Sequence, residues 1–268
     1  MSFLLRSLRS FAANSNPLLE MIHRSLQIPF RLLFYFLACW SCHAFAVDFE
    51  SLTAGSNKFT VCRVNLKQDH LDLFLNDDAG RPLKSFSALN AWLAKGGKTL
   101  EFAMNAGMYR PDHTPCGLFV ENGRQLSPLN LAQGTGNFFL RPNGVFLMTP
   151  AGARIVPSEK YTNVQDRVLL ATQSGPMLVL SGTINPLFTP GSLSRHIRNG
   201  VGVASPDEAI FVIAETSVDF YDFAAFFRDV LHCPNALYFD GTVSSLYAPK
   251  LGRSDRKIDL GPMIGVTE

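Results

Sequence analysis

Apolar and polar positions change period several times along this chain, and the changes mark out its elements. Phe59 to Asn65 and Leu71 to Leu75 are short apolar runs joined by the polar turn Lys67-Gln-Asp-His70, a pattern that predicts a pair of strands. After Ser85 and Ser87, either of which can cap a helix, Leu89, Trp92 and Leu93 follow at helical spacing until Gly96-Gly97. Leu100 to Met104 reads as a buried strand running into Asn105-Ala-Gly107. Leu118 to Leu126 reads as a hairpin turning at Asn122-Gly123, and Phe138 to Met148 as a second one turning at Pro142-Asn-Gly144. Leu169 to Thr172 and Met177 to Leu180 are strands flanking Gln173-Ser-Gly-Pro176, and Ala209 to Ala214 is another. From Asp219 to Leu231 the period becomes helical, with Phe220, Phe223, Phe227 and Leu231 on one face. The last clear strand, Leu237 to Phe239, stops at Asp240-Gly.

Many short strands, repeated hairpins and two clear helices predict an α+β fold, with a largely antiparallel or mixed sheet core and a few packed helices. No linker, low-complexity tract or internal repeat interrupts the pattern, which fits one domain over residues 47–268. Residues 1–46 read as a signal peptide. Arg31 precedes the apolar run Leu32 to Trp40, too short to span a bilayer, and Ala44-Phe45-Ala46 is a small-x-small cleavage signal. Met21 is an alternative start that gives a leader of ordinary length. The expectation is an exported protein, periplasmic or secreted, with no stable membrane span once the leader is cleaved.

Composition and charge sharpen this picture. The chain is 47% hydrophobic and 17% charged, enough apolar content for a sizeable core, and 22 of its residues are Phe. The net charge of +2 falls to −1 on removal of residues 1–46, which carry Arg6, Arg9, Arg24, Arg31 and Glu20. The mild basicity therefore belongs to the leader and gives no argument for a nucleic-acid partner. Cys62, Cys116 and Cys233 remain in the mature chain, an odd count that allows at most one bridge, and Cys62–Cys233 is the favoured pairing. No metal-binding spacing survives there, so no cofactor is expected, although a divalent cation held between two carboxylates stays open.

Candidate chemistry collects at strand ends. Asn105, Gln173-Ser174, Arg195 and Arg198, Glu215 and Asp240 each sit where an apolar run meets a polar or glycine-containing cluster, and such ends can converge on one pocket. Arg195 and Arg198 suit an anionic, phosphate-bearing ligand. His196 between them reads as structural. Asp240 and Glu215 are two carboxylates of the kind that flank a glycosidic bond. Gln173-Ser-Gly-Pro176 lacks the spacing of a nucleophile elbow, and Gly200-Val-Gly-Val203 lacks the third glycine of a dinucleotide site.

Four motifs in order, Met104-Asn-Ala-Gly-Met-Tyr109, Gln173-Ser-Gly-Pro176, Arg198 with Gly200-Val-Gly-Val203, and Asn235 to Gly241 with Ser244-Ser245, resemble the phosphodiester glycosidase family, particularly its bacterial exported members. The resemblance runs from about Phe59 to the C-terminus. It implies hydrolysis of a carbohydrate phosphodiester to a free sugar and a phosphomonoester, in a polar pocket of Asn105, Gln173, Ser174, Arg198, Asp240 and Ser245. Glu215 and Arg195 join that set on the residue pattern alone. Thr242 stands where the family usually has glycine, which strains the loop if that position needs positive φ. Two other readings remain at this point: a non-catalytic envelope protein that binds phosphorylated glycan or polysaccharide, and a phosphodiesterase that cleaves P–O.

Overall fold

A computed structural model describes residues 47–256 and 258–268; the expected leader lies outside these described residues. Three antiparallel sheets enclose one apolar centre. The seven-stranded sheet runs, in spatial order, β1 (Asp48–Ala54), β2 (Asn57–Asn65), β13 (Glu208–Ala214), β12 (Asn199–Ser205), β14 (Asn235–Asp240), β10 (Met177–Leu180) and β11 (Thr183–Ile184). The second sheet is β16 (Arg253–Ser254), β15 (Leu246–Ala248), β4 (Leu100–Asn105), β17 (Met263–Thr267) and β3 (His70–Phe74). The third is β6 (Arg124–Ser127), β5 (Phe119–Glu121), β9 (Leu170–Ser174), β7 (Gly144–Thr149) and β8 (Gly152–Pro157).

The period-2 alternation of each strand decides which core it feeds. Along β2, Cys62 and Val64 point into the centre shared by all three sheets, while Phe59 and Val61 point to the opposite face. That outer face is covered by α2 (Phe220–Ala225), which continues into a π turn over Phe226–Val230. Phe59 stacks 3.9 Å from Phe226, and Phe223 and Phe227 meet edge to face at 5.2 Å. Gly200 and Gly202 of β12 lie under this cover. A Cβ on Gly202 would sit 2.5 Å from Cys233 Sγ and 2.8 Å from Phe227, so this glycine serves close packing of the cover on the sheet, whereas one on Gly200 would first meet Leu237 O of β14 at 2.5 Å. The second sheet is covered by α1 (Phe86–Lys95), which Ser85 caps through its side chain and which buries Phe86, Leu89 and Leu93.

Two expectations are corrected here. Cys62 and Cys233 are free thiols, and they cannot pair because they face opposite sides of the seven-stranded sheet. The expected hairpin over Phe138 to Met148 does not form. β7 pairs with β8 on one side and β9 on the other, so neither edge is free to take Phe138 to Arg141. That stretch instead makes a short 3₁₀ turn at Asn137–Phe139, with Phe138 buried.

Among the described residues no helix is long and apolar enough to cross a membrane.

Candidate active site

The ends of β4, β9 and β14 and the start of β12 come together, although they belong to three different sheets. Asn199 opens β12 opposite Asp240, the last residue of β14. A register shift beside this pair moves the partner of Gly200 back to Tyr238, which sets Asp240 at the rim. Asn199 and Asn105, both fully buried, form a reciprocal amide pair. Asn199 Nδ2 donates to Asn105 O at 2.9 Å and to Asn105 Oδ1 at 3.0 Å, and Asn105 Nδ2 donates back at 3.3 Å. The same Asn105 Oδ1 accepts from Ser245 N at 2.9 Å, while Ser244 Oγ donates to Asn199 Oδ1 at 3.2 Å and to Asp240 O at 2.8 Å. Ser174 Oγ donates to Phe239 O at 2.9 Å, which ties the end of β9 to the same strand. Asn105, Ser174, Ser245 and Asp240, expected from the sequence, are thus one connected cluster. Asn199, which the strand-end pattern does not mark, belongs at its centre.

Asp240 is half-buried, and its Oδ1 accepts from Gly241 N at 2.5 Å and Thr242 N at 2.8 Å. Burial raises its carboxyl above the ordinary value; the N–H groups of Thr242, Gly241 and Val243 oppose that rise. Thr242 keeps an ordinary negative φ and donates to the carboxylate, so threonine fits this loop without strain. The preceding turn is different: Gly107 has a φ of 146°, and a Cβ there would press to 3.0 Å from Thr172 Oγ1. Thr172 Oγ1 in turn donates to Ala106 O at 2.6 Å, fixing the Asn105-Ala-Gly107 turn against β9.

Two tyrosines border the carboxylate. Tyr109 is pushed up to about 12, first by burial and then by the charges of Asp240 and Asp259. Tyr238 is raised further still, again first by burial, with Asp240 adding to the rise and Arg198 opposing it. Tyr238 Oη lies so close to Gly241 that a Cβ there would be 2.4 Å away. Arg198 is the adjoining cation. Its side chain is 1% exposed and lies flat over Phe220, 3.6 Å from the ring centroid. Nε donates to Val218 O at 2.9 Å, Nη2 to Ser194 O at 2.8 Å and Nη1 to Tyr238 Oη at 3.4 Å. Among the described residues no carboxylate forms a salt bridge with it. Burial lowers its pKa from the usual arginine value, and Tyr238 and the Asp219 carboxylate oppose that fall.

Three other expected residues sit elsewhere. Arg195 does not join Arg198. It is exposed, donates to Asn57 Oδ1 and Ser217 O, and lies 3.3 Å from Asp219, whose carboxylate caps α2. Gln173 spends its amide on the loop beside β5: Oε1 accepts from Leu118 N and Asn130 N, and Nε2 donates to Asn130 O and Ser158 Oγ. Glu215 leaves β13 turned towards β2, where it accepts from Thr60 Oγ1 at 2.6 Å and pairs with Arg253. β12 lies between β13 and β14, so those two strands run roughly 10 Å apart, and Glu215 stands beyond the end of β13, past Ile213, the residue level with Asp240. With Glu215 turned to Thr60 and Arg253, the structure does not bring the two carboxylates together.

Residues 98–265 match the phosphodiester glycosidase family model, a span that contains every residue of the cluster. YigE of Escherichia coli (strain K12), described as an uncharacterized protein, is 36% identical over 214 residues, covering 79% of this chain and 84% of its own length. The catalytic domain of zebrafish N-acetylglucosamine-1-phosphodiester alpha-N-acetylglucosaminidase, auto-inhibited by its pro-peptide, shares the fold. It aligns with a TM-score of 0.56 at 12% identity over 82% of this chain and 81% of its own.

Proposed function

Because the chain belongs to the phosphodiester glycosidase family, we propose that it hydrolyses a sugar-1-phosphodiester to the free sugar and a phosphomonoester. The observation that carries the reading is the convergence of Asp240, the Asn105–Asn199 pair and the Ser244-Ser245 loop beside a buried cation that forms no salt bridge among the described residues. Asp240 faces the anomeric carbon and stabilises or captures the oxocarbenium-like centre as the glycosidic bond breaks. Arg198, buried behind the site, offsets through its field the charge that develops on the leaving oxygen.

The leaving group explains how one carboxylate serves. A phosphomonoester has a second pKa of about 6, so it departs with little need of a proton. The acid role of an ordinary glycosidase is thereby reduced, which agrees with Glu215 being held by Arg253 and Thr60. Asn105, Asn199, Ser174, Ser244 and Ser245 position the Asp240 loop. The leader pattern supports a setting in the cell envelope. N-terminal sequencing of the exported protein should then begin at Val47, and an intact N-terminus would remove that setting.

The reaction is tested by incubating the protein with UDP-N-acetylglucosamine in ¹⁸O-labelled water. Label in the released sugar is the expected result, since it reports C–O cleavage. Label in the phosphate would replace the reading with P–O cleavage, and saturable binding without turnover would replace it with a glycan-binding role. Arg198→Ala should cut turnover of phosphodiesters far more than that of uncharged glycosides; equal losses would remove Arg198 from the phosphate.

A further inference from the structure

A cleft of about 630 Å³ opens on a different part of the molecule and contains none of the Asp240 cluster. Its walls are β3, the last strand of the second sheet, and the β5–β6 hairpin at the end of the third, with α1 closing one side. The volume falls in the range of pockets that hold small molecules. Its lining is mixed. Trp92 of α1 is half-buried there, edge-on to Phe74 at 6.3 Å, with its indole N–H donating to Asp78 Oδ2 at 3.1 Å. Around it stand Asn76, Glu121, Asn122 and Arg124, so acids, amides and a base share one surface.

From these residues we propose that the cleft is a second carbohydrate site, which takes an uncharged oligosaccharide independently of the reaction at Asp240. An indole with part of its surface free suits the C–H face of a pyranose ring. Planar carboxylates and amides suit hydroxyl groups, because each presents several acceptors or donors in fixed directions. Charges of both signs line the wall, which argues against a ligand of strong net charge. An extended peptide adding to the edge of β3 is disfavoured by that edge itself. Glu121 accepts from the N–H of Leu75, Leu83 N donates to Leu75 O at 3.0 Å, and Asn76 bridges to Pro82, so the end of the strand is already occupied.

The chain has two tryptophans, Trp40 and Trp92, so Trp40→Phe leaves Trp92 as the only indole reporter. The full chain carrying Trp40→Phe is titrated with cellotetraose, maltotetraose and tetra-N-acetylchitotetraose while indole emission is followed. At least one sugar should give a saturable change, with the same Kd when Asp240→Asn is added. Asp78→Ala and Asn122→Ala should each weaken it at least fivefold, with circular dichroism unchanged and turnover at Asp240 unaffected. No saturable change with any of the three sugars overturns the proposal. So does a response abolished by Asp240→Asn, or one that survives both cleft variants. A response to an extended lysine-rich hexapeptide but to no sugar would replace the carbohydrate with a peptide. In calorimetric titration, which does not depend on the indole, Trp92→Phe should weaken binding of the same sugar at least fivefold, and unchanged binding overturns the proposal.

Discussion

Removing the Asn199 side chain should cost both stability and turnover, because one buried amide holds together strands from two sheets. In Asn199→Ala, Asn105 Nδ2 loses its 3.3 Å partner and Asn105 O loses the donor at 2.9 Å. Asn105 Oδ1 keeps Ser245 N, and Ser244 Oγ keeps Ile197 O and Asp240 O. Two buried polar groups are therefore stranded, each costing about 1–3 kcal/mol. A water entering the vacated space would recover part of that, which gives a net loss of about 2–4 kcal/mol. A domain of ordinary stability survives such a loss at 25 °C. Urea unfolding followed by circular dichroism reads the loss as a lower midpoint at constant slope. The same variant should lower kcat/KM on a sugar phosphodiester at least tenfold, since the loop carrying Asp240 loses an anchor. A cycle with Asn105→Ala should show coupling of about 1–2 kcal/mol. A loss below about 0.5 kcal/mol, the size of an ordinary surface change, or strict additivity in the cycle, would refute the view that this pair binds the sheets at the site.

Further outcomes follow from other sites. Burial pushes Glu121 up to about 7 from its ordinary 4.5, so the folded protein binds that proton more tightly and loses stability as pH rises between those values. Glu121→Gln should thus raise Tm at pH 8 by an amount worth about 1–2 kcal/mol after allowance for partial exposure, and give no gain at pH 4; the same gain at both pH values would discard the burial argument. Gly202→Ala puts a methyl 2.5 Å from Cys233 Sγ and 2.8 Å from Phe227, and should destabilise by about 1–3 kcal/mol in urea; an unchanged midpoint would mean the helix is not pressed on the sheet there. Glu215→Gln should leave kcat within about threefold and stability within about 1 kcal/mol, as for other partly exposed ion pairs; a hundredfold fall in kcat would return Glu215 to the chemistry.

The elements written in local pattern were legible in the sequence. β2, β3, α1, β4, the β5–β6 hairpin, β13, α2 and β14 all lie where period and capping residues place them. What failed was information about partners. Nothing local in Phe138 to Met148 shows that both edges of β7 are taken by β8 and β9. The faces of Cys62 and Cys233 become known only once the sheet is assembled. The site divides the same way. Asn105, Ser174, Ser245 and Asp240 stand at strand ends that do converge, while Glu215 and Arg195 stand at ends held by Arg253 and Asp219, both distant in sequence. Gln173 faces the loop at Asn130 rather than the cluster. Asn199 had a signal, a lone amide just before a glycine-rich strand, but its buried partner is 94 residues away.

The most direct test of the account is the turnover of Asp240→Asn on a sugar-1-phosphodiester. Asparagine keeps an acceptor for Gly241 N and Thr242 N, so the loop should hold its shape, and circular dichroism and the urea midpoint should match the parent within about 1 kcal/mol. kcat/KM should fall at least a thousandfold with the fold intact. A variant that folds normally and retains a third or more of the parent activity would contradict the placing of Asp240 at the reacting carbon.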